Sequence, residues 1–213
     1  MAREALAGNW SFAAIAVLIH IIISIVIAAA PTISDTIPEI AGNIIPHIIA
    51  GPFSVGFAYF YLETIRNNKR KISYIFKGFS IFTTSFAANF MITIFTLLWT
   101  LLFIIPGIMK AYSYSMTFFI LSDNPEKGAM NAISESKEIM YGNRWKLFCL
   151  SGRFFAWSIV CLFTLGLGFL ALLPYMGMSF ACFYEQVKNE SETPQKTIEE
   201  DQSEENIMNP ATF

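Results

Sequence analysis

From Ser11 to Ala30 the chain runs for twenty residues without an Asp, Glu, Lys or Arg, about the length a helix needs to cross a hydrocarbon core roughly 30 Å thick. Backbone amides in lipid have no water to bond, so a crossing segment must pair them internally, and an isolated run of this kind is restricted to a helix. The pattern then repeats. Apolar runs at about 47–65, 84–105, 108–121, 147–165 and 169–187 bring the expected spans to six. The run at 108–121 is short for a crossing; it either sits where the bilayer thins or borrows residues from the turn before it.

The cations agree with this division. Arg3, the cluster Arg66-Asn67-Asn68-Lys69-Arg70-Lys71, Lys77, Lys127, Lys137, Arg144, Lys146, Lys188 and Lys196 share one side if six spans alternate, and the three outer loops then hold no Lys or Arg. By the positive-inside rule that side is the cytoplasm, with both termini on it. The expected fold class is therefore an all-α membrane protein whose six transmembrane helices form three hairpins, each preceded by a juxtamembrane or interfacial helix. Residues 1–187 make the membrane domain, and the acidic, aromatic-poor stretch 188–213 reads as a disordered cytoplasmic tail. Charged residues make up 14% of the chain, well under the ~25% of soluble domains, which fits immersion in lipid. With the basic loops assigned to a membrane surface no basic face remains for nucleic acid.

Several local signals refine the picture. Arg3 before an apolar run ending in Ala28-Ala29-Ala30 imitates a secretory signal, but the run is longer than a signal core of ~7 to 15 residues and Pro31 would follow the cut. Gly51-Pro52 predicts a kink or a half-helix start in the second span, Pro106-Gly107 a chain reversal, Gly166 and Gly168 a second reversal, and Pro174 a break near the start of the sixth span. Ile72 to Ser80 reads as a short interfacial segment. Asn124-Pro125 is a helix start signal for an amphipathic surface helix over 126–141, which Gly142 ends; its apolar stripe would lie on lipid or on the ends of the spans.

An internal echo runs through these elements. Arg3 to Trp10 resembles Lys137 to Trp145 with one residue inserted, and Lys77-Gly78-Phe79 is a fainter copy; each precedes a pair of spans whose second member carries a Pro (Pro52, Pro106, Pro174) and inner aromatic residues. A unit of surface helix, span, turn and kinked span used three times would be related by rotation about the membrane normal.

At Ile105-Pro106-Gly107, Ser113-Tyr114-Ser115-Met116, Leu121 with Asp123-Asn124-Pro125, Glu135-Ser136-Lys137, Gly142-Asn143 with Trp145-Lys146-Leu147-Phe148, Thr164-Leu165-Gly166 and Pro174-Tyr175, the chain resembles the bacterial integral membrane family catalogued as domain of unknown function nine-seven-five, frequent in Gram-positive bacteria. The resemblance covers nearly all of the chain but the acidic tail. It implies a polytopic protein of the bacterial plasma membrane and carries over no reaction or catalytic residue. Arg153 departs from the family pattern, where a small or uncharged polar residue is expected.

Arg153 is the residue most in need of an explanation. Eight residues beyond Trp145, it lies about 12 Å along a helix axis, at a depth where a charge costs roughly 2.5 to 3.5 kcal/mol. It is expected to face the bundle or a wet cavity and to pair with Glu185 or Glu63. Its functional reading is an anion or lipid-headgroup site; its plain reading is a snorkelling or ion-paired structural arginine. Lys110, one turn beyond Pro106, neighbours Tyr112, Ser113, Tyr114 and Ser115, hydroxyls that in lipid more often bond neighbouring helices than substrate. Arg153, Lys110 and Glu185 are thus the candidate ligand or lipid contacts. His20 and His47 have no acidic neighbour at helical spacing, so no metal, cofactor or catalytic dyad is expected. The S-x-x-K spelling at Ser134 and Lys137 stands alone, and Cys149, Cys161 and Cys182 read as packing residues. The expected function is a non-enzymatic accessory, protective or immunity-type membrane factor whose partners are membrane lipids and another membrane protein; the alternative is a small transporter or channel with a site near Arg153.

Overall fold

The computed structural model describes residues 15, 18, 19, 21, 25, 39–67, 71–163 and 168–208, and among these every regular element is a helix. In chain order they are α1 (Glu39–Asn67), a 3₁₀ helix (Ile72–Ile81), α2 (Phe82–Leu102), α3 (Ile104–Tyr114), α4 (Thr117–Asp123), α5 (Ala129–Ile139), α6 (Arg144–Phe163) and α7 (Phe169–Met208). Three stretches are long and apolar enough to cross a membrane: Ile48–Arg66, Ile72–Leu102 and Arg144–Phe163. The span expected at 11–30 lies mostly outside the described residues, although Ile15, Leu18, Ile19, Ile21 and Ile25 within it are helical. The expected reversal at Gly166 also lies outside them.

α1 is the post around which the rest is arranged. It touches the 3₁₀ helix, α2, α4 and α7, and half of its apolar window is buried, against 17% for the window of α6. Small residues allow this. A Cβ on Gly56 would fall inside the carbonyl group of Ile75, and one on Gly78 inside that of Pro52, so the two backbones approach as closely as hydrogen side chains permit. Helix α1 continues through Gly51-Pro52 without interruption, so no half-helix starts there.

The segment over 72–80, expected to be interfacial, forms the 3₁₀ helix. Its ten residues buried against α1 by Ile75 and Gly78 leave Phe76 and Phe79 exposed, with Phe53 packed edge-on to both. A 3₁₀ run of this length is unusual. At about 2 Å per residue it adds roughly 20 Å to the ~31 Å of α2, too much for one crossing. Ile81, with φ −117° and ψ 42°, breaks helical geometry between them.

Three boundaries differ from expectation, each for a local reason. The reversal after α2 falls at Phe103, which is extended (φ −155°, ψ 134°). Pro106 then sits in the first turn of α3, where its missing N–H would have had no helical partner anyway, and Gly107 lets that turn pack onto Thr100. The fourth expected span breaks at Ser115 and Met116 into α3 and α4, because the Ser115 hydroxyl donates to the Tyr112 carbonyl at 2.7 Å and the last turn tightens. Asn124-Pro125 forms a turn closed by the Lys127 N–H on the Asn124 carbonyl at 3.1 Å, so α5 begins at Ala129 and not at 126.

Gly142 does terminate that region, with φ +80° after the helix ends. Helix α5 buries Ala132, Ile133, Ser136 and Ile139 against α4, α2 and α3, so its apolar stripe faces the bundle. α7 runs unbroken past Pro174 and stays helical to Met208. The composition after Lys188 reads as disordered, but Glu, Gln and Lys are also good helix formers, and they extend a helix that α1, α5 and α6 already hold.

Candidate functional site

Charged side chains from the ends of two helices and the middle of a third meet in one cluster. Arg66 closes the last turn of α1, where the helix dipole favours a cation. Asp123 ends α4, and Tyr184, Glu185 and Lys188 lie on α7. The Arg66 guanidinium forks onto Asp123, Nη1 to Oδ1 at 2.6 Å and Nη2 to Oδ2 at 2.9 Å, while Nε donates to Glu185 Oε1 at 2.7 Å. Asp123 Oδ2 also accepts from Lys188 Nζ at 2.9 Å and from the Tyr184 hydroxyl at 3.0 Å.

Two cations and two carboxylates cancel, and the planar fork suits the carboxylate geometry. The Asp123 side chain is only 7% exposed, whereas those of Arg66 and Lys188 keep contact with solvent at 34% and 30%. Burial alone would raise the Asp123 carboxyl, but hydrogen bonds from Arg66 and Lys188, and then their charges, hold it below the usual carboxylate range. An aromatic floor supports the cluster, since Tyr184 stacks on Phe119 with ring centroids 5.5 Å apart. Chemically the arrangement is a fastener, for each Asp123 oxygen is already engaged.

The residues expected to share a site are not brought together. Glu185 belongs to the cluster, paired with Arg66 instead of Arg153. Arg153 is exposed on α6, whose buried stripe is Leu147, Phe154 and Cys161. One position before Phe154 is about 100° around the helix, so Arg153 cannot face the bundle. It lines an open cleft of about 330 Å³ with Lys146, Cys149 and Leu150. Lys110 lies on α3 with Nζ 4.8 Å from the centre of the Trp99 ring, a cation–π contact.

The hydroxyls near Lys110 turn mainly onto their own helix, Ser113 to the Met109 carbonyl and Ser115 to that of Tyr112. The link between helices runs the other way: Ser136 Oγ on α5 donates to the Ser113 carbonyl at 2.8 Å. Lys137 sits 5.6 Å from the Tyr114 ring, and Ser134 is exposed. Cys161 is buried and Cys182 partly so, but Cys149 is exposed and does not pack as expected. No group of three His, Cys, Asp or Glu side chains that could hold a metal occurs among the described residues, and His20 lies outside them.

Sequence reasoning passed over Arg66 and Asp123, assigning the first to an anonymous basic loop and the second to a cap region. A signal was present. Each expected second span ends in an aromatic residue followed by a charge and an Asn: Tyr61 with Arg66-Asn67, Phe119 with Asp123-Asn124, and Tyr184 with Lys188-Asn189. Arg66, Asp123 and Lys188 are 57 and 65 residues apart in the chain, yet they meet.

No curated protein and no solved structure matches the chain. A family model does match it, over residues 102–191, the stretch that supplies α3 to α6, the first half of α7 and three of the four charges of the cluster; its description is protein of unknown function (DUF975), the family the motifs around Pro106, Asp123 and Trp145 point to.

Proposed function

We propose that the chain is an integral protein of the bacterial plasma membrane, crossing it six times as three hairpins with both termini in the cytoplasm. On this reading it acts without a reaction of its own, as an accessory, protective or immunity-type factor working through membrane lipids and another membrane protein. The observation that carries the membrane part is the apolar exterior of α2 and α6. Leu97, Leu98, Leu101 and Leu102 on one and Phe155, Trp157, Leu162 and Phe163 on the other are all more than half exposed, a surface that water would not tolerate at this extent. The cluster around Asp123 supports the non-enzymatic part, because a carboxylate held by two cations and a phenol is poorly placed to take a proton from a substrate.

Alkaline carbonate extraction and a reporter fused after Lys188 test the placement. Retention in the vesicle pellet with a cytoplasmic reporter is the expected result, and a washed-off protein or an external reporter defeats it. Crosslinking and pulldown from native membranes should then recover one discrete membrane protein. Arg153, around which a transport path was expected, faces away from the bundle interior, which weighs against the transporter reading. Solute flux in proteoliposomes that falls on Arg153→Leu would reverse that judgement.

A further inference from the structure

We infer that the face of α6 formed by Lys146, Cys149, Leu150 and Arg153 seats the phosphate of an anionic phospholipid from the cytoplasmic leaflet, held by the Lys146 and Arg153 side chains. The inference rests on the membrane reading above and adds a ligand class to it.

Arg153 carries a charge with no partner among the described residues. Arg153 lies nine residues into a twenty-residue helix, about 14 Å from its start and so near the middle of a crossing. Arginine stays protonated in any protein setting, and an ion at that depth needs a counter-charge or a path to the headgroups. Among the described residues Arg153 makes no ion pair and no hydrogen bond. Asp123 and Glu185 are committed to Arg66, and Glu190 to Gln186 at 2.8 Å and to Lys146 at 3.4 Å. Glu190 borders the face through Lys146. It lies at the solvent end and holds Lys146 only loosely, with both side chains about half exposed.

Geometry then favours a headgroup over a deep ligand. Lys146 and Arg153 are two turns apart on one face, about 10.5 Å along the axis, and helical side chains lean toward the N-terminus. The Arg153 side chain therefore extends back toward the interface, and a phosphate that meets its guanidinium there has the Lys146 ammonium on its interfacial side. Gly152 beside Arg153 has open space where a side chain would begin, leaving room for a headgroup to enter. Trp145, stacked on Phe148 at 5.1 Å and well exposed, stands at interfacial depth. Phe155 and Trp157, exposed one turn deeper, offer contact to the acyl chains.

The test uses the full chain in vesicles with Trp10 and Trp99 replaced by Phe, so that emission comes from Trp145 and Trp157 on α6. Quenching by brominated phosphatidylglycerol is compared with quenching by brominated phosphatidylcholine. Anionic lipid should compete about threefold or more better than zwitterionic lipid in the parent, nearly equally in Arg153→Gln, with Lys146→Gln in between and Arg153→Lys keeping most of the preference. Equal quenching by the two lipids in the parent overturns the site, as does a preference untouched by Arg153→Gln and Lys146→Gln together. A preference that excess inorganic phosphate removes would assign the face to a water-borne anion and also overturn it. Absence of quenching by either lipid would defeat the membrane reading itself.

Discussion

Helices α1 and α6 have similar lengths of apolar sequence and opposite fates. Half of the α1 window is buried and only 17% of that of α6, although both qualify as crossings on the same grounds. The difference lies in small residues and where they point. Gly51, Gly56 and Ala58 let α1 receive the 3₁₀ helix and α2 against its backbone. The single glycine inside α6, Gly152, faces open space. Hydrophobicity places a helix in lipid; close packing in lipid depends on the shape of the face, since apolar contact alone gains little where the solvent is also apolar.

One substitution made in both helices breaks or sharpens this contrast. Gly56→Ala should destabilise the protein by about 3 kcal/mol or more, because a methyl group inside the Ile75 carbonyl forces the 3₁₀ helix away. Gly152→Ala should stabilise by about 0.5 to 1 kcal/mol through helix propensity alone. Thermal or denaturant unfolding in detergent micelles reads both signs. Equal effects would mean that α1 and α6 are not distinguished by packing.

Next in size is the cluster that joins the ends of α1 and α4 to the middle of α7. Asp123→Asn keeps the shape, removes the charge and leaves Arg66 and Lys188 facing each other. A loss of about 2 kcal/mol is expected, less than the ~3 to 5 kcal/mol of a fully buried pair because both cations can regain water. The pH dependence follows from the depressed Asp123 carboxyl. Its unfolded counterpart titrates near pH 4, so the cluster contributes fully above that value and loses its contribution as pH falls through the lower folded value. Unfolding followed at pH 6 and about pH 3 should show the parent losing this increment and Asp123→Asn losing none of it. Arg153→Gln on α6 leaves the cluster intact and should lose the same increment as the parent.

How much of this could be read from residues alone divides along the same line. The all-helical class, a separate short helix at 72–80 and the end of α5 near Gly142 follow from length, periodicity and backbone preference, which are local. The reversal at Phe103 comes a few residues before the Pro106-Gly107 pair that predicts it, and the break at Ser115 lies inside a run that reads as one span, because a proline or a serine fixes a tendency and neighbouring backbones choose the spot. The Asp123 cluster was missed for a different reason. Its members lie in three segments, and only the repeated charge followed by Asn, read as a spatial coincidence about an axis, would have joined them. Arg153 is singled out by its expected depth, but its side chain turns away from the buried stripe of α6. Depth is a matter of count, whereas direction depends on which stripe of α6 finds partners, and Phe154 lies on that stripe.

The smallest expected effect concerns how α5 is held. Its buried face could dock by apolar contact alone, with the hydrogen bond from Ser136 to the Ser113 carbonyl adding only alignment, or that bond could be the reason the helix settles on a broken span. The break between α3 and α4 leaves a carbonyl near the cut available to a side chain, and Ser136 is completely buried over it. Ser136→Ala should therefore cost about 1 kcal/mol, the worth of one buried hydrogen bond with its acceptor left short of a donor. Ser134→Ala, on the exposed side of the same helix, should cost nothing measurable. If the two alanine variants unfold together, α5 is held by Ala132, Ile133 and Ile139, and the contrast between a shape-matched interior and a greasy exterior extends to the helices that do not cross.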